Sequence, residues 1–534
     1  MSSRWQEEFQ NFKQDCENAI AISKENLRKL MYENVDTEYG RKYDFRHIQN
    51  VQDYQERVPL STYSDYSDAV DAMRCGKKNV LTVYDVKHYI MTSGSMGKQK
   101  YIPLSTEALR RCMNPIYFAS YASIDGIEEG QYLHMSVFRM EPPHEEKDTI
   151  LSAAFYRELY DSKIYDLDKR YLGGEKLLFT KGIGLVPYVK CWIALSSPQM
   201  AGIQAFFLYD IILFLHYMEE HYEIILQHME HRSIPKEIPI SEEVKALLLN
   251  MPMPDAEWIN FVRKECEKGM RGIVKRLWPK LKFVSGVGGS TFFAQESVLR
   301  YYLNDIPIHY FSYAASECMM AIVTEPESIA NVLMPRSGFF EFIPYGEENK
   351  VKTIEEVEIG KQYEIVITNF SGLYRYKLED VVKIVGFYGE APILEVCFRK
   401  NQAINVAGEK MDLQTIANAM QEMGRQFGLQ IYEYSVCDEK NLLPGRYQCF
   451  IEADGDLTHN EEMNLVFDAL LKKKHVDYAD VRSLGLIAMP QIYCVKKGTH
   501  AECKRHFGAK QAQNKPLQYL SDPEVIHFMK ERIL

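Results

Sequence analysis

Apolar residues recur at helical spacing among charged ones from Trp5 to Met31, which predicts one or two amphipathic helices packed on a main domain. A strand over Lys87–Met91 and a helix over Thr106–Tyr121 flank the stretch TSGSMGKQK, Thr92 to Lys100. That order suggests that the helix N-terminus faces whatever the stretch binds. Gln199 to Glu230 is predicted as one long helix or two, and Ala256 to Leu277 as another. The most apolar run, Met200 to Met218, contains Gln204 and Asp210 and is followed by Glu219 and Glu220, so it predicts a buried helix rather than a membrane span. An apolar, strand-like approach then leads into VSGVGGST (Val284 to Thr291) and a helix over Phe293–Leu303. Strand, glycine loop and helix in that order are the pattern of an α/β fold. A short strand over Ile308–Ser312 runs into Tyr313 to Glu317.

From Phe339 the period changes. FFEFIP, YEIVITNF, a turn at Ser371-Gly372 and LYRYKLEDVVKIVGF alternate and are rich in Val, Ile, Tyr and Phe, as strands of an antiparallel sheet or barrel are. Beyond Arg399 the pattern mixes helices near 412–427 and 459–474 with strands near 430–437, 447–452 and 491–496. The expected fold is therefore α/β. A large N-terminal domain over residues 1–399 has mixed sheets and a β-barrel-like part, and a smaller α+β domain covers 400–534. A length of 534 residues fits two or three domains.

Composition narrows the function. Hydrophobic residues make up 46% and charged residues 26%, with a net charge of −11. These values give no electrostatic reason to expect nucleic acid or an acidic membrane surface as partner, and favour small-molecule work. The eleven cysteines include no CxxC pair, so neither a zinc ribbon nor a thioredoxin motif is expected. Their odd number and an N-terminus without an apolar core predict a cytoplasmic protein. GxSxG and HExxH are absent, which sets aside serine-hydrolase and zinc-protease readings.

TSGSMGKQK holds hydroxyls, glycines and lysines in a short span. Glycines let backbone approach a ligand closely, and hydroxyls, N–H groups and lysines bind phosphate oxygens. It is not a Walker A loop, because Gly97-Lys98 is followed by Gln99 rather than Ser or Thr. Alone, the stretch fits either a phosphate cradle or an ordinary surface turn.

Five stretches in order carry a resemblance. They are TSGSMGKQK, YAASE (313–317), PRSGFFEFIP (335–344), the segment from Val357 to Lys410, and KKGTH (496–500). Together they resemble the auxin-responsive Gretchen Hagen family of acyl acid amido synthetases, in the adenylate-forming, firefly luciferase-like superfamily. The resemblance implies a large adenylate-forming domain and a mobile C-terminal domain. It also implies an ATP- and Mg²⁺-dependent ligase that activates a carboxylic acid as an acyl-adenylate and transfers it to an amino acid amine.

By matching position, Ser93, Gly94, Ser95 and Lys98 are similar to the groups that hold the β- and γ-phosphates. Ser95 keeps the hydroxyl of the commoner TSGTSGG form, and Met96 does not. Tyr313, Ser316 and Glu317 resemble the nucleotide-site residues, with Glu317 on the magnesium side. Gly288, Gly289 and Ser290 resemble the loop along the adenine and acyl pocket. Asp380 resembles the aspartate that accepts from both ribose hydroxyls, with Glu379 where the family usually has Gly. Arg399 falls at a basic hinge position. Lys410, in GEKMD, and Lys515 are similar to lysines that approach the adenylate. A monomer is expected. A coenzyme A or carrier-thiol acceptor, and a catalytically silent nucleotide-binding scaffold, are the alternatives. The acyl pocket is expected among residues 105–200 and the element after Gln199, where Tyr117, Phe118, Tyr121, Phe206 and Phe207 permit an aromatic acid.

Overall fold

The computed structural model describes residues 4–93, 99–127, 130–135, 148–149, 151–163, 166–180, 186–288, 293–347, 350–400, 404, 406, 409, 411–439, 442, 444–483, 487–507 and 518–534. The chain divides into two compact units. The larger holds residues 1–206, 213–287 and 302–396, and the smaller holds 207–212, 288–301 and 397–534.

The N-terminal helices Arg4–Glu17 and Ala19–Glu33 bury Trp5, Phe12, Leu27 and Leu30, the apolar positions that predict them. Asn26, inside the second, donates to the carbonyls of Pro335 and Gly338 at 2.8 Å each, and so fixes the helix on the sheet.

Strands β1 (Val86–Ser93) and β2 (Gln99–Ser105) form an antiparallel hairpin. Strand β3 (Tyr132–His134) belongs to a second sheet, and β4 (Asp148–Thr149) pairs parallel to β1. The second sheet orders β3, β5 (Gly202–Phe207), β6 (Phe283–Val287) and β7 (Ile308–Tyr310), and its β3–β5 and β6–β7 pairs are parallel. One residue beyond β7 the chain changes sheets. Strand β8 (Ser312–Ala314) opens the third sheet with β9 (Met319–Ile322), β10 (Asn331–Leu333), β11 (Gly338–Pro344), β12 (Lys352–Thr353), β13 (Gln362–Asn369), β14 (Tyr376–Tyr388) and β15 (Ala391–Arg399).

The strand order in that sheet is β12-β11-β13-β14-β15-β10-β9-β8. Although β8 stands at one edge, Tyr313 on it reaches Asp380 on β14, and Asn369 on β13 donates to the Glu317 carbonyl. The sheet therefore curls on itself, which is the barrel-like part that the alternating pattern predicts.

The smaller unit carries β16 (Gln430–Glu439), β17 (Arg446–Asp454) and β18 (Gln491–Cys494), with helices Leu413–Gln426 and Asn460–Lys474. Their apolar faces meet in a core that includes Ile416, Met420, Phe467 and Leu471.

Three predicted elements differ. Residues 202–207 form strand β5, and the helix begins only at Leu208. A strand buried on both faces has no polar alternation to distinguish it from a buried helix. The predicted helix over 256–277 breaks into Ala256–Glu267 and Ile273–Leu277. The helix after β2 ends at Tyr117 rather than Tyr121. Among the described residues no helix is long and apolar enough to cross a membrane.

Candidate active site

Asp380 is presented by a bulge. Glu364 pairs with Val381 and Val366 with Lys377, so Ile365 alone faces Leu378, Glu379 and Asp380. Extra residues on one strand bend it and re-aim a side chain. Here the turn of backbone falls on Glu379, whose φ of 67° lies in the left-handed region. Glycine suits this position for that reason, and the structure keeps the bulge with glutamate in it. The conformation costs a residue with a Cβ roughly 1 kcal/mol. Glu379→Gly is accordingly expected to raise stability by up to roughly that amount in chemical denaturation. A lower denaturation midpoint would show instead that the Glu379 side chain contributes more than its backbone costs.

The half-buried Asp380 carboxylate accepts a hydrogen bond from Tyr313 Oη at 2.9 Å. Four residues on, Glu317 is 7% exposed, and its Oε1 accepts from Tyr376 Oη at 3.1 Å. Between them Ala315 and Cys318 exchange backbone hydrogen bonds of 2.9 and 3.2 Å, so Ser316 sits in a tight turn. Tyr313, Ser316, Glu317 and Asp380 are thus brought to one corner. The corner is fastened by two residues without an assigned role in the sequence. Tyr376 holds the Glu317 side chain. Asn369 donates to the Glu317 carbonyl at 2.7 Å, while its Oδ1 accepts from the backbone of Ser371 and Leu373. Both lie in the segment that carries the resemblance, but their partner stands more than fifty residues away in sequence, so no local pattern pairs them.

Glu317 fits a magnesium ion that arrives with a triphosphate, because magnesium takes one or two carboxylates and completes its shell with phosphate oxygens and water. Among the described residues no group of three or more acidic, histidine or cysteine side chains is placed to hold a metal by itself.

Ser93 ends β1 and pairs with Gln99 at the start of β2, and the two residues bracket the glycine-rich connection. Gly94, Ser95 and Lys98 lie outside the described residues, as do Gly289, Ser290, Lys410 and Lys515. The helix beginning at Thr106 does not follow the loop directly. Seven residues of β2 intervene, and Ser105 pairs with Val86 at the opposite end of the hairpin from Ser93. Its N-terminus is therefore turned away from the loop. There Ser105 Oγ accepts from the Ala108 N–H at 3.1 Å and donates to the Phe370 carbonyl at 2.8 Å. Those bonds join the base of the hairpin to the turn at Ser371-Gly372, where φ of 97° at Gly372 needs a residue without Cβ.

In the smaller unit, Gly288 directly follows β6, and Arg399 is the last residue of β15. The position of Lys410 is bracketed by fully buried neighbours. Glu409 accepts from the Val406 N–H at 2.8 Å and from Tyr447 Oη, and Met411 exchanges backbone bonds with Ile404. KKGTH starts the helix Thr499–Phe507. The Glu452 carboxylate accepts from the N–H groups of Gly498 and His500 and lies 2.7 Å from His500 Nδ1. Burial pushes the Glu452 carboxyl up, but the hydrogen bonds and charge of His500 outweigh it and hold the group below its ordinary value. KKGTH thus has a structural task, as an anchored helix start.

The chain matches the GH3 family N-terminal domain over residues 8–308, the central domain over 331–399 and the C-terminal domain over 414–524. It is 25% identical over 537 residues to a jasmonoyl–L-amino acid synthetase of Oryza sativa subsp. japonica, covering 94% of this chain and 92% of that one. It is 23% identical over 453 residues to a probable indole-3-acetic acid-amido synthetase of Arabidopsis thaliana, covering 82% and 76%. The solved AtGH3.15 acyl acid amido synthetase in complex with 2,4-DB has the same fold, with a TM-score of 0.87 at 21% identity, over 98% of this chain and 96% of that one. A 2-hydroxyisobutyryl-CoA ligase in the postadenylation state superposes less closely, at a TM-score of 0.58 and 12% identity, over 96% and 92%. Three family domains in order, with Asp380 in the central one and His500 in the C-terminal one, establish that this chain belongs to the GH3 family.

Proposed function

We propose that this chain is an ATP-dependent acyl acid amido synthetase. The observation that supports it most directly is the corner where Tyr313 bonds the Asp380 carboxylate beside the buried Glu317. In the first half-reaction a carboxylate oxygen of the acid attacks the α-phosphorus of ATP, and pyrophosphate leaves. Hydroxide is a poor leaving group from a carboxylic acid, whereas AMP is a good one. In the second half-reaction the amine of an amino acid attacks the acyl carbon, AMP departs with the bonding electrons, and the nitrogen loses a proton to leave an amide.

Asp380 accepts from the ribose hydroxyls, a task suited to an acceptor-only group, and Tyr313 orients it. Ser93, Gly94, Ser95 and Lys98 hold the β- and γ-phosphates, and Gly288, Gly289 and Ser290 run along the nucleotide and acyl pocket. Glu317 would hold Mg²⁺, which would supply neutralisation of the phosphate charge. Arg399 serves at the hinge, and Lys410 and Lys515 serve from the C-terminal domain, residues 400–534, which rotates between the half-reactions. The enzyme acts as a cytoplasmic monomer on a small carboxylic acid and an amino acid.

The test is pyrophosphate release from ATP and Mg²⁺ with pooled carboxylic acids, with and without pooled amino acids, followed by mass analysis. Acid-dependent release that quickens with an amino acid and yields an amide is the expected result. Acid-dependent release without an amide would point to a thiol acceptor, and failure to bind ATP would point to a silent scaffold.

A further inference from the structure

Two hydrogen bonds of the same kind join the segments that form the nucleotide corner. Tyr313 on β8 donates to the Asp380 carboxylate on β14 at 2.9 Å. Tyr376 on β14 donates back to Glu317 Oε1, four residues beyond Tyr313, at 3.1 Å. Each segment therefore supplies one tyrosine donor and, four residues later, one carboxylate acceptor. The two bonds run between the segments in opposite directions.

The two carboxylates differ in setting. Asp380 is half-buried, whereas Glu317 and its donor Tyr376 are 7% and 2% exposed. The Glu317 backbone is fixed as well, because its carbonyl accepts from Asn369 Nδ2 at 2.7 Å and the Ala315–Cys318 turn closes around it. Its carboxylate is thus held with Oε1 on Tyr376. Among the described residues Oε2 has no hydrogen-bond partner. Glu317 offers a ligand one oxygen while the other is engaged.

That arrangement bears on the choice of metal. Magnesium is small and near-octahedral, and it binds through one or two carboxylates while keeping water and phosphate oxygens in its shell. Calcium takes roughly six to eight oxygens in looser geometry, and a carboxylate can give it both. To serve calcium that way Glu317 would have to release Tyr376. The bond lost would be one to a charged acceptor, stronger than a bond between neutral groups. Among the described residues no set of three acidic, histidine or cysteine side chains is placed to hold an ion. The oxygen that Glu317 keeps open is therefore the main means of telling one ion from the other.

We infer that Tyr376 is a positioning residue that makes Glu317 a one-oxygen ligand and so sets a preference for Mg²⁺ over Ca²⁺ in nucleotide binding. This rests on the amido synthetase reading, in which Glu317 is on the metal side, and adds the residue that determines the ion. Tyr313 makes the matching bond on the sugar side, so the two tyrosines should have separable effects.

The experiment measures ATP binding by calorimetry, without acid or amino acid, over a range of Mg²⁺ or Ca²⁺ concentrations, and AMP binding in EDTA. In the unaltered enzyme Mg²⁺ should tighten ATP binding more than Ca²⁺ does. In Tyr376→Phe the Mg²⁺ concentration for half of that tightening should rise by on the order of tenfold. The Ca²⁺ value should rise less or fall, and AMP should bind as before. Tyr313→Phe should do the reverse, weakening AMP and ATP together and leaving the ion preference as it was. An unchanged ion preference in a Tyr376→Phe variant that still binds AMP would overturn the inference. So would a parallel loss of AMP binding, which would make Tyr376 a support of the whole corner, and so would an unaltered metal response in Glu317→Gln. The ligase reading is judged apart, by acid-dependent pyrophosphate release from the unaltered enzyme. Release together with an unchanged preference in Tyr376→Phe overturns the inference alone, whereas failure of the unaltered enzyme to bind ATP removes both.

Discussion

Asp380→Ala is expected to raise the KM for ATP by on the order of a hundredfold, with a parallel loss of acid-dependent pyrophosphate release. Hydrogen bonds to a charged group contribute roughly 1.5–3 kcal/mol each, and loss of two from the ribose hydroxyls supports that factor. The bulge and the Tyr313 hydrogen bond hold the carboxylate in place, so nucleotide binding spends little on ordering that side chain. Tyr313→Phe removes the orienting bond alone and should cost a smaller factor, on the order of three- to tenfold. Because Asp380 is half-buried at a bulge rather than in the sheet interior, the alanine variant should fold with near-normal stability. Near-normal KM for ATP in a folded Asp380→Ala would remove Asp380 from the nucleotide site.

The corner around Asp380 was legible because its residues fall in motifs read in order along the chain, and the alternating strands from Phe339 onward follow from their period. What holds the corner was not legible. Asn369 and Tyr376 act on Glu317 across a curled sheet, and neither periodicity nor turn chemistry encodes that closure. The hairpin at 86–105 shows a second limit. Gln99 to Ser105, QKYIPLS, includes a lysine and a proline, so its short strand is specified mainly by its pairing with β1. Gly202 to Phe207 shows a third, since a sheet covered on both faces removes the polar alternation that marks a strand. The pairing of buried polar residues on the parallel sheet was hidden for a related reason. Gln204 interrupts an apolar run, but its alignment with His134 exists only once the strands are in register.

The largest stability effect is expected at Arg375. Its guanidinium is 4% exposed and faces Glu341, 1% exposed, at 3.0 Å. Further hydrogen bonds hold the pair. Arg375 Nη1 donates to the carbonyls of Gln55 and Val58 at 2.9 and 2.8 Å, and Gln55 Nε2 donates to Glu341 Oε1 at 2.9 Å. Arg375→Ala should therefore lower stability by about 3–5 kcal/mol, because it leaves a buried carboxylate without its countercharge. Glu341→Ala should cost a similar amount by stranding the guanidinium. The double replacement Arg375→Met with Glu341→Leu should recover much of the loss, since a buried pair contributes little beyond what it cost to desolvate. Denaturant midpoints of the three variants check this, and equal losses in the single and double variants would show that packing rather than charge governs the site. Arg375 lies immediately before β14, which carries Tyr376 and Asp380. Any fall in ATP binding in Arg375→Ala should consequently track the unfolded fraction, whereas Asp380→Ala should lose ATP binding while folded. That contrast separates the residue that supports the corner from the residue assigned to bind nucleotide.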